Sequence, residues 1–103
     1  MRPRARKVVS STTDGLGRTI VLTDERWEHI LEGHPEMAGL ELAVMRVVES
    51  ADKECAGNFP GARKFYKRGL GPARWLAVVV AYDGMMGKVV TAHPFSKEPK
   101  SNS

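Results

Sequence analysis

Apolar residues recur along this chain in two rhythms, and the change from one to the other marks its elements. Trp27, Ile30 and Leu31 fall at i, i+3 and i+4, the spacing of one helical face. Thr23 stands at the N-cap with Asp24 and Glu25 in the first turn, Leu22 and Trp27 occupy staple positions, and Gly33 and Pro35 close the helix. Met37, Leu40, Val44, Val47 and Val48 repeat the helical spacing, which predicts a second helix from Glu36 or Ala38 to Ser50. A loop through Asp52, Gly57, Pro60 and Gly61 follows. The rhythm then shortens to two, predicting strands at Ala62–Arg68, Trp75–Ala81 and Lys88–His93. Leu76–Ala81 is apolar on both faces and reads as the central strand. The short links Gly69–Pro72 and Asp83–Gly87 imply antiparallel pairing. Upstream, Lys7–Val9 and Arg18–Leu22 flank the turn-rich Thr13–Gly17 as a hairpin. The expected fold is α+β, with two N-terminal helices packed on a twisted antiparallel β-sheet.

At 103 residues the chain has room for one modest core. It divides into a basic arm at 1–6, a single domain at 7–95 and a polar tail at 96–103. No apolar run approaches the roughly 18 residues that span a bilayer, and no signal-peptide pattern opens the sequence, so no membrane association is expected. The single cysteine, Cys55, excludes an intrachain disulfide and any multi-cysteine zinc site, which fits a cytoplasmic setting.

Charge changes the picture through its distribution rather than through the net value of +4. Residues 23–54 hold nine acids and three bases, whereas residues 55–82 hold five bases, Arg63, Lys64, Lys67, Arg68 and Arg74, and no acid. Such a block either guards an edge strand against aggregation or forms an anion-binding surface. Strand alternation sets Arg63, Phe65 and Lys67 on one face and Lys64, Tyr66 and Arg68 on the other.

The candidate proton-transfer groups are the three histidines. His29 faces away from the apolar stripe, between Glu25 and Glu32 at ladder spacing. His34 precedes Pro35 and is pushed out of the helical line, while Thr91 and His93 share a strand face. Metal-free RNA cleavage needs a base for the ribose 2′-hydroxyl, an acid for the leaving 5′-oxygen and cations for the phosphorane charge. Tyr66 could stack on a base or donate to phosphate. Each group also has a purely structural reading: His34 as a helix cap, His29 as a ladder member, His93 as a strand end and Tyr66 as core. His29 and His34 are five apart and no HExxH accompanies them, so the spacing argues against a metal site, and no cofactor is expected.

The segments Ile20–Glu36, Arg63–Tyr66 and Val89–Pro94 resemble the phage and mobile-element nucleases of the barnase, EndoU, colicin and RelE-like group, over residues 20–94. The order of two helices and then a sheet, with a histidine between the helices, is more distantly similar to BrnT-type ribonuclease toxins. The resemblance implies a RelE/barnase-like sheet carrying a metal-independent ribonuclease site. It directs attention to His29 and His34, to Arg63 with Lys64 and Tyr66, and to Thr91 with His93. It also implies RNA as substrate and, for toxin-like members, a cognate antitoxin protein. The expectation is a small endoribonuclease in which His34 or His93 moves protons, Arg63 and Lys64 stabilise phosphate, and Lys67, Arg68 and Arg74 extend the RNA-binding surface. The alternatives are a non-catalytic nucleic-acid-binding module and a protein-interaction domain.

Overall fold

A computed structural model describes residues 7–99. The basic arm at 1–6 and residues 100–103 of the polar tail lie outside the described residues. The order is β1 (Val8–Thr13), β2 (Thr19–Thr23), α1 (Asp24–Gly33), a 3₁₀ turn (Pro35–Met37), α2 (Glu41–Glu49), β3 (Lys53–Ala56), β4 (Ala62–Arg68), β5 (Trp75–Asp83) and β6 (Met86–Phe95). All six strands join one sheet in the order β1-β2-β6-β5-β4-β3.

This arrangement corrects the expected one in two respects. The helices do not open the fold, because β1 and β2 precede them, and the sheet is mixed, because Thr19–Val21 pair in parallel with Met86–Lys88. The physical cause lies in β2, whose Ile20 and Leu22 are fully buried. A two-stranded hairpin cannot bury such residues by itself. β2 therefore takes the edge of β6, and the helices carry the chain across one face to β3 at the far edge.

α1 begins as the sequence predicts: Thr23 Oγ1 accepts the Arg26 amide at 3.3 Å, and the staple pair Leu22 and Trp27 is buried. Burial of Trp27 and Ile30 stabilises the docking of α1 by about 1.5–3 kcal/mol each. α2 starts later than expected, at Glu41. Pro35–Met37 form a separate 3₁₀ turn, and Gly39 at φ +84° breaks the line before α2. β3 replaces part of the expected loop: Lys53–Ala56 pair antiparallel with Arg63–Tyr66.

Two clusters fill the two faces of the sheet. On the helical face Phe65, Leu76, Val78, Val80, Val89 and Ala92 meet Trp27, Ile30, Val44, Val47 and their neighbours. On the other face Cys55, Tyr66, Trp75 and Ala77 pack with Phe95. Among the described residues no helix covers this second face, which we term the open face.

The β1–β2 turn is fastened to β5 by a buried carboxylate. Asp14 Oδ1 accepts the Leu16 and Arg18 amides at 2.9 and 3.0 Å, and Oδ2 accepts Arg18 Nε and the Tyr82 hydroxyl, both at 2.8 Å. The Arg18 guanidinium lies 3.9 Å over the Tyr82 ring. Burial raises the Asp14 carboxyl, but these hydrogen bonds outweigh it and hold the group below its ordinary value. Tyr82 moves the other way, pushed up by burial and by its bond to Asp14.

Among the described residues no helix is long and apolar enough to cross a membrane.

Candidate functional site

The parallel β2–β6 pairing ends at Val21 and Lys88, and α1 takes over along the edge of β6 beyond it. Arg26 donates through Nε and Nη2 to the Val90 carbonyl at 3.2 and 2.9 Å. Val90 sits at a bulge, since Val89 pairs with Val80 and Thr91 with Val79. Pro94 is tolerated on this strand because its missing N–H falls where no neighbouring strand needs it. With α1 laid along the edge, its C-cap residue His34 arrives beside the end of β6.

There the His34 and His93 rings stack, with centroids 5.6 Å apart and planes 26° apart. His34 ends α1 through its backbone N–H, which donates to the Ile30 carbonyl at 2.8 Å. Its Nδ1 lies 3.5 Å from Glu36 Oε2, across Pro35. His93 Nδ1 is 3.0 Å from the Pro94 carbonyl, an acceptor only, so that nitrogen carries hydrogen. Nδ1 of His93 is thus taken by the protein, and Nδ1 of His34 faces Glu36 at a distance that becomes an ion pair when the ring is protonated, which turns Nε2 of each ring to a ligand.

Sheet register fixes the surroundings of the pair. Lys53, Tyr66, Ala77 and His93 form one cross-strand row on the open face, and Cys55, Lys64, Val79 and Thr91 form the next. Arg68, Trp75 and Phe95 form a third. The open face thus gathers His93, Thr91, Lys64, Tyr66 and Arg68, with Arg74 in the loop before β5. Ala77, between Tyr66 and His93 in its row, is fully buried in the cluster with Cys55, Tyr66, Trp75 and Phe95. Tyr66 is part of that cluster rather than a free stacking platform: it is 6% exposed and packs 5.6 Å from Phe95 and 6.4 Å from Trp75. Phe95 is half-buried, with its ring edge-on to His93 at 6.1 Å.

Three residues singled out from the sequence fall elsewhere. Arg63 lies on the helical face, where its Nε donates to Glu54 at 2.8 Å. Lys67 is on the same side and donates to the Ser50 carbonyl at 2.8 Å, with Asp52 Oδ1 at 3.7 Å. The Arg68 amide and the Lys67 ammonium hold the Asp52 carboxyl below its ordinary value. His29 is exposed on α1, and the ring contact with His93 belongs to His34.

Sequence reading missed the contributions of Arg26, Glu36 and Lys53. Glu36 had a local signal, a carboxylate two residues beyond a histidine released by proline. Arg26 had none, because the carbonyl it holds is exposed by a bulge far along the chain. Replacing Arg26 by alanine is expected to destabilise the fold by about 1–2 kcal/mol, as a half-buried, charge-assisted pair of bonds to one carbonyl is lost. Thermal unfolding of the variant measures this.

Among the described residues no group of three or more histidine, cysteine or carboxylate side chains converges as a metal site would require. No family model matches the chain, and searches of curated proteins and of solved structures find no match.

Proposed function

We propose that the protein is a metal-independent endoribonuclease that cleaves by attack of the ribose 2′-hydroxyl on the adjacent phosphorus. The observation that carries this reading is the His34–His93 pair at 5.6 Å, beside a cationic sheet face. Its resemblance to small toxin-like nucleases, drawn from the sequence, points the same way. Two imidazoles so close can address the attacking and leaving oxygens of one phosphodiester, and together they supply both proton transfers.

Their contacts favour a division of roles. His93, with hydrogen on Nδ1, presents Nε2 as the base that takes the 2′-hydroxyl proton. As the 2′-oxygen bonds to phosphorus, the bond to the 5′-oxygen breaks, and His34 in its imidazolium form delivers the proton that this oxygen needs. Glu36 orients His34 for that donation by facing its Nδ1. Products are a 2′,3′-cyclic phosphate and a 5′-hydroxyl. Thr91, two residues before His93 on the same face, can donate to a non-bridging oxygen, and Lys64 in its cross-strand row supplies positive charge for the phosphorane. Phe95 offers a half-buried ring for base stacking.

Incubation of purified protein with end-labelled RNA in EDTA tests this reading. Fragments ending in 2′,3′-cyclic phosphate are expected. Intact RNA across about pH 5 to about pH 8, the range in which histidines exchange protons, would overturn it if the protein is folded.

A further inference from the structure

The described part of the polar tail does not trail away from the sheet. Pro99 is buried, and Lys97, Glu98 and Pro99 wall a cavity on the open face whose other sides include Cys55, Lys64, Tyr66 and Phe95. Lys53 Nζ donates to Glu98 Oε2 and also, at 3.4 Å, to the Pro99 carbonyl. This lysine lies 5.6 Å over the Trp75 ring, and the Arg68 guanidinium lies 4.8 Å over the same ring. Two cations on one indole, with Arg74 next to it in the chain, concentrate positive charge that Glu98 and Asp52, whose Oδ2 accepts the Arg68 amide, offset only in part.

We infer that Lys53, Arg68 and Arg74 form an anion subsite for a phosphodiester of the RNA backbone, separate from the scissile one, and that Glu98 occupies this subsite in cis. The inference rests on the ribonuclease reading for the identity of the anion. Lys53 stands three strands from His93, about 14 Å at ordinary strand spacing, too far to touch the same phosphate. The subsite therefore grips backbone beyond the cleavage point. Glu98 feels these cations: the Lys53 hydrogen bond, with Lys53, Arg68 and Arg74 acting through space, holds its carboxyl below the ordinary value. Its side chain is nevertheless 59% exposed. An exposed ion pair is weak, so a phosphodiester, equal to Glu98 in charge but one of several linked along the RNA strand that meet the cationic face together, can displace it. The tail then acts as a strap that incoming RNA must lift.

The experiment is fluorescence anisotropy of a labelled single-stranded RNA carrying a 2′-O-methyl group at each position, which cannot be cleaved by 2′-hydroxyl attack, run beside cleavage of the unmodified strand. Glu98→Gln is expected to tighten binding three- to tenfold, and Lys53→Met to weaken it by a similar factor. Glu41→Gln makes the same change in net charge on α2, on the helical side of the sheet, and is expected to leave binding within twofold. Unchanged affinity in Glu98→Gln, equal gains in Glu98→Gln and Glu41→Gln, or no binding by any variant would overturn the subsite. Tighter binding in Glu98→Gln without cleavage of the unmodified strand by any variant would uphold the subsite while removing the ribonuclease reading. Cleavage that is indifferent to Glu98 and Lys53 would do the reverse.

Discussion

Alanine at His93 or at His34 is expected to lower the rate of RNA cleavage by about 10²–10⁴-fold, the range that a positioned general acid or base contributes. Base and acid serve one transition state, so the double variant should be little slower than the worse single one. Arg63→Ala supplies the contrast. Its guanidinium is held by Glu54 on the opposite face of the sheet, and its removal should leave cleavage within a few-fold. Single-turnover cleavage with saturating enzyme separates a chemical defect from weakened binding. Retention of near-normal rates by folded His34→Ala and His93→Ala proteins would remove both residues from the mechanism and leave the open face as a binding surface only.

The largest effect on stability is expected at Asp14. Alanine there strips partners from the Arg18 guanidinium, the Tyr82 hydroxyl and two backbone amides. Removing one member of a buried pair typically costs several kcal/mol. Arg18 retains 23% side-chain exposure and can turn to water, which reduces the expected loss to about 2–3 kcal/mol. Chemical denaturation measures it through a lower midpoint at unchanged slope. The same carboxylate sets an acid limit. Its folded-state value is depressed below 3.8, the ordinary value, so the folded state binds its proton less readily than the unfolded chain. Its stabilisation is complete above pH 3.8 and is lost as pH falls from there through the lower folded value. Asp14→Ala should therefore show a shallower loss of stability in that window than the parent.

Local signals in the sequence carried the elements whose causes are local. Thr23, Leu22 and Trp27 mark the start of α1 because a cap and a staple are made by residues within one turn of each other. β4 matches its predicted span, and β5 and β6 extend two or so residues beyond theirs. β3 escaped because Lys53–Ala56 is short, half polar and defined by its pairing with β4 rather than by a pattern of its own. α2 starts later than its pattern suggests because Met37 keeps the helical spacing while Gly39 breaks the backbone. The parallel pairing was invisible because nothing in Thr19–Val21 names a partner at Met86–Lys88.

The candidate site divides in the same manner. Alternation separates Arg63 from Lys64 correctly, yet it does not say which of them faces the helices; only the register with β5 decides that. Pro35 tells that His34 leaves the helix, and strand periodicity tells that His93 and Thr91 point the same way. That the two imidazoles meet depends on α1 running along β6, a consequence of the sheet order.

That sheet order also governs how the chain reaches its folded state. The β1–β2 hairpin, the helices and the β4–β5–β6 meander can each form from neighbouring segments, whereas Thr19–Val21 meet Met86–Lys88 only by closing a loop that contains nearly everything between them. Loop closure on this scale adds little to the equilibrium cost but slows the search for the contact. Until it closes, Ile20 and Leu22 lie on an unpaired strand edge, the kind of surface through which partly folded chains associate. The seam that brings the two histidines together is thus expected to form late in refolding, which stopped-flow refolding of a variant weakened at Ile20 would show as faster unfolding with a near-normal folding rate.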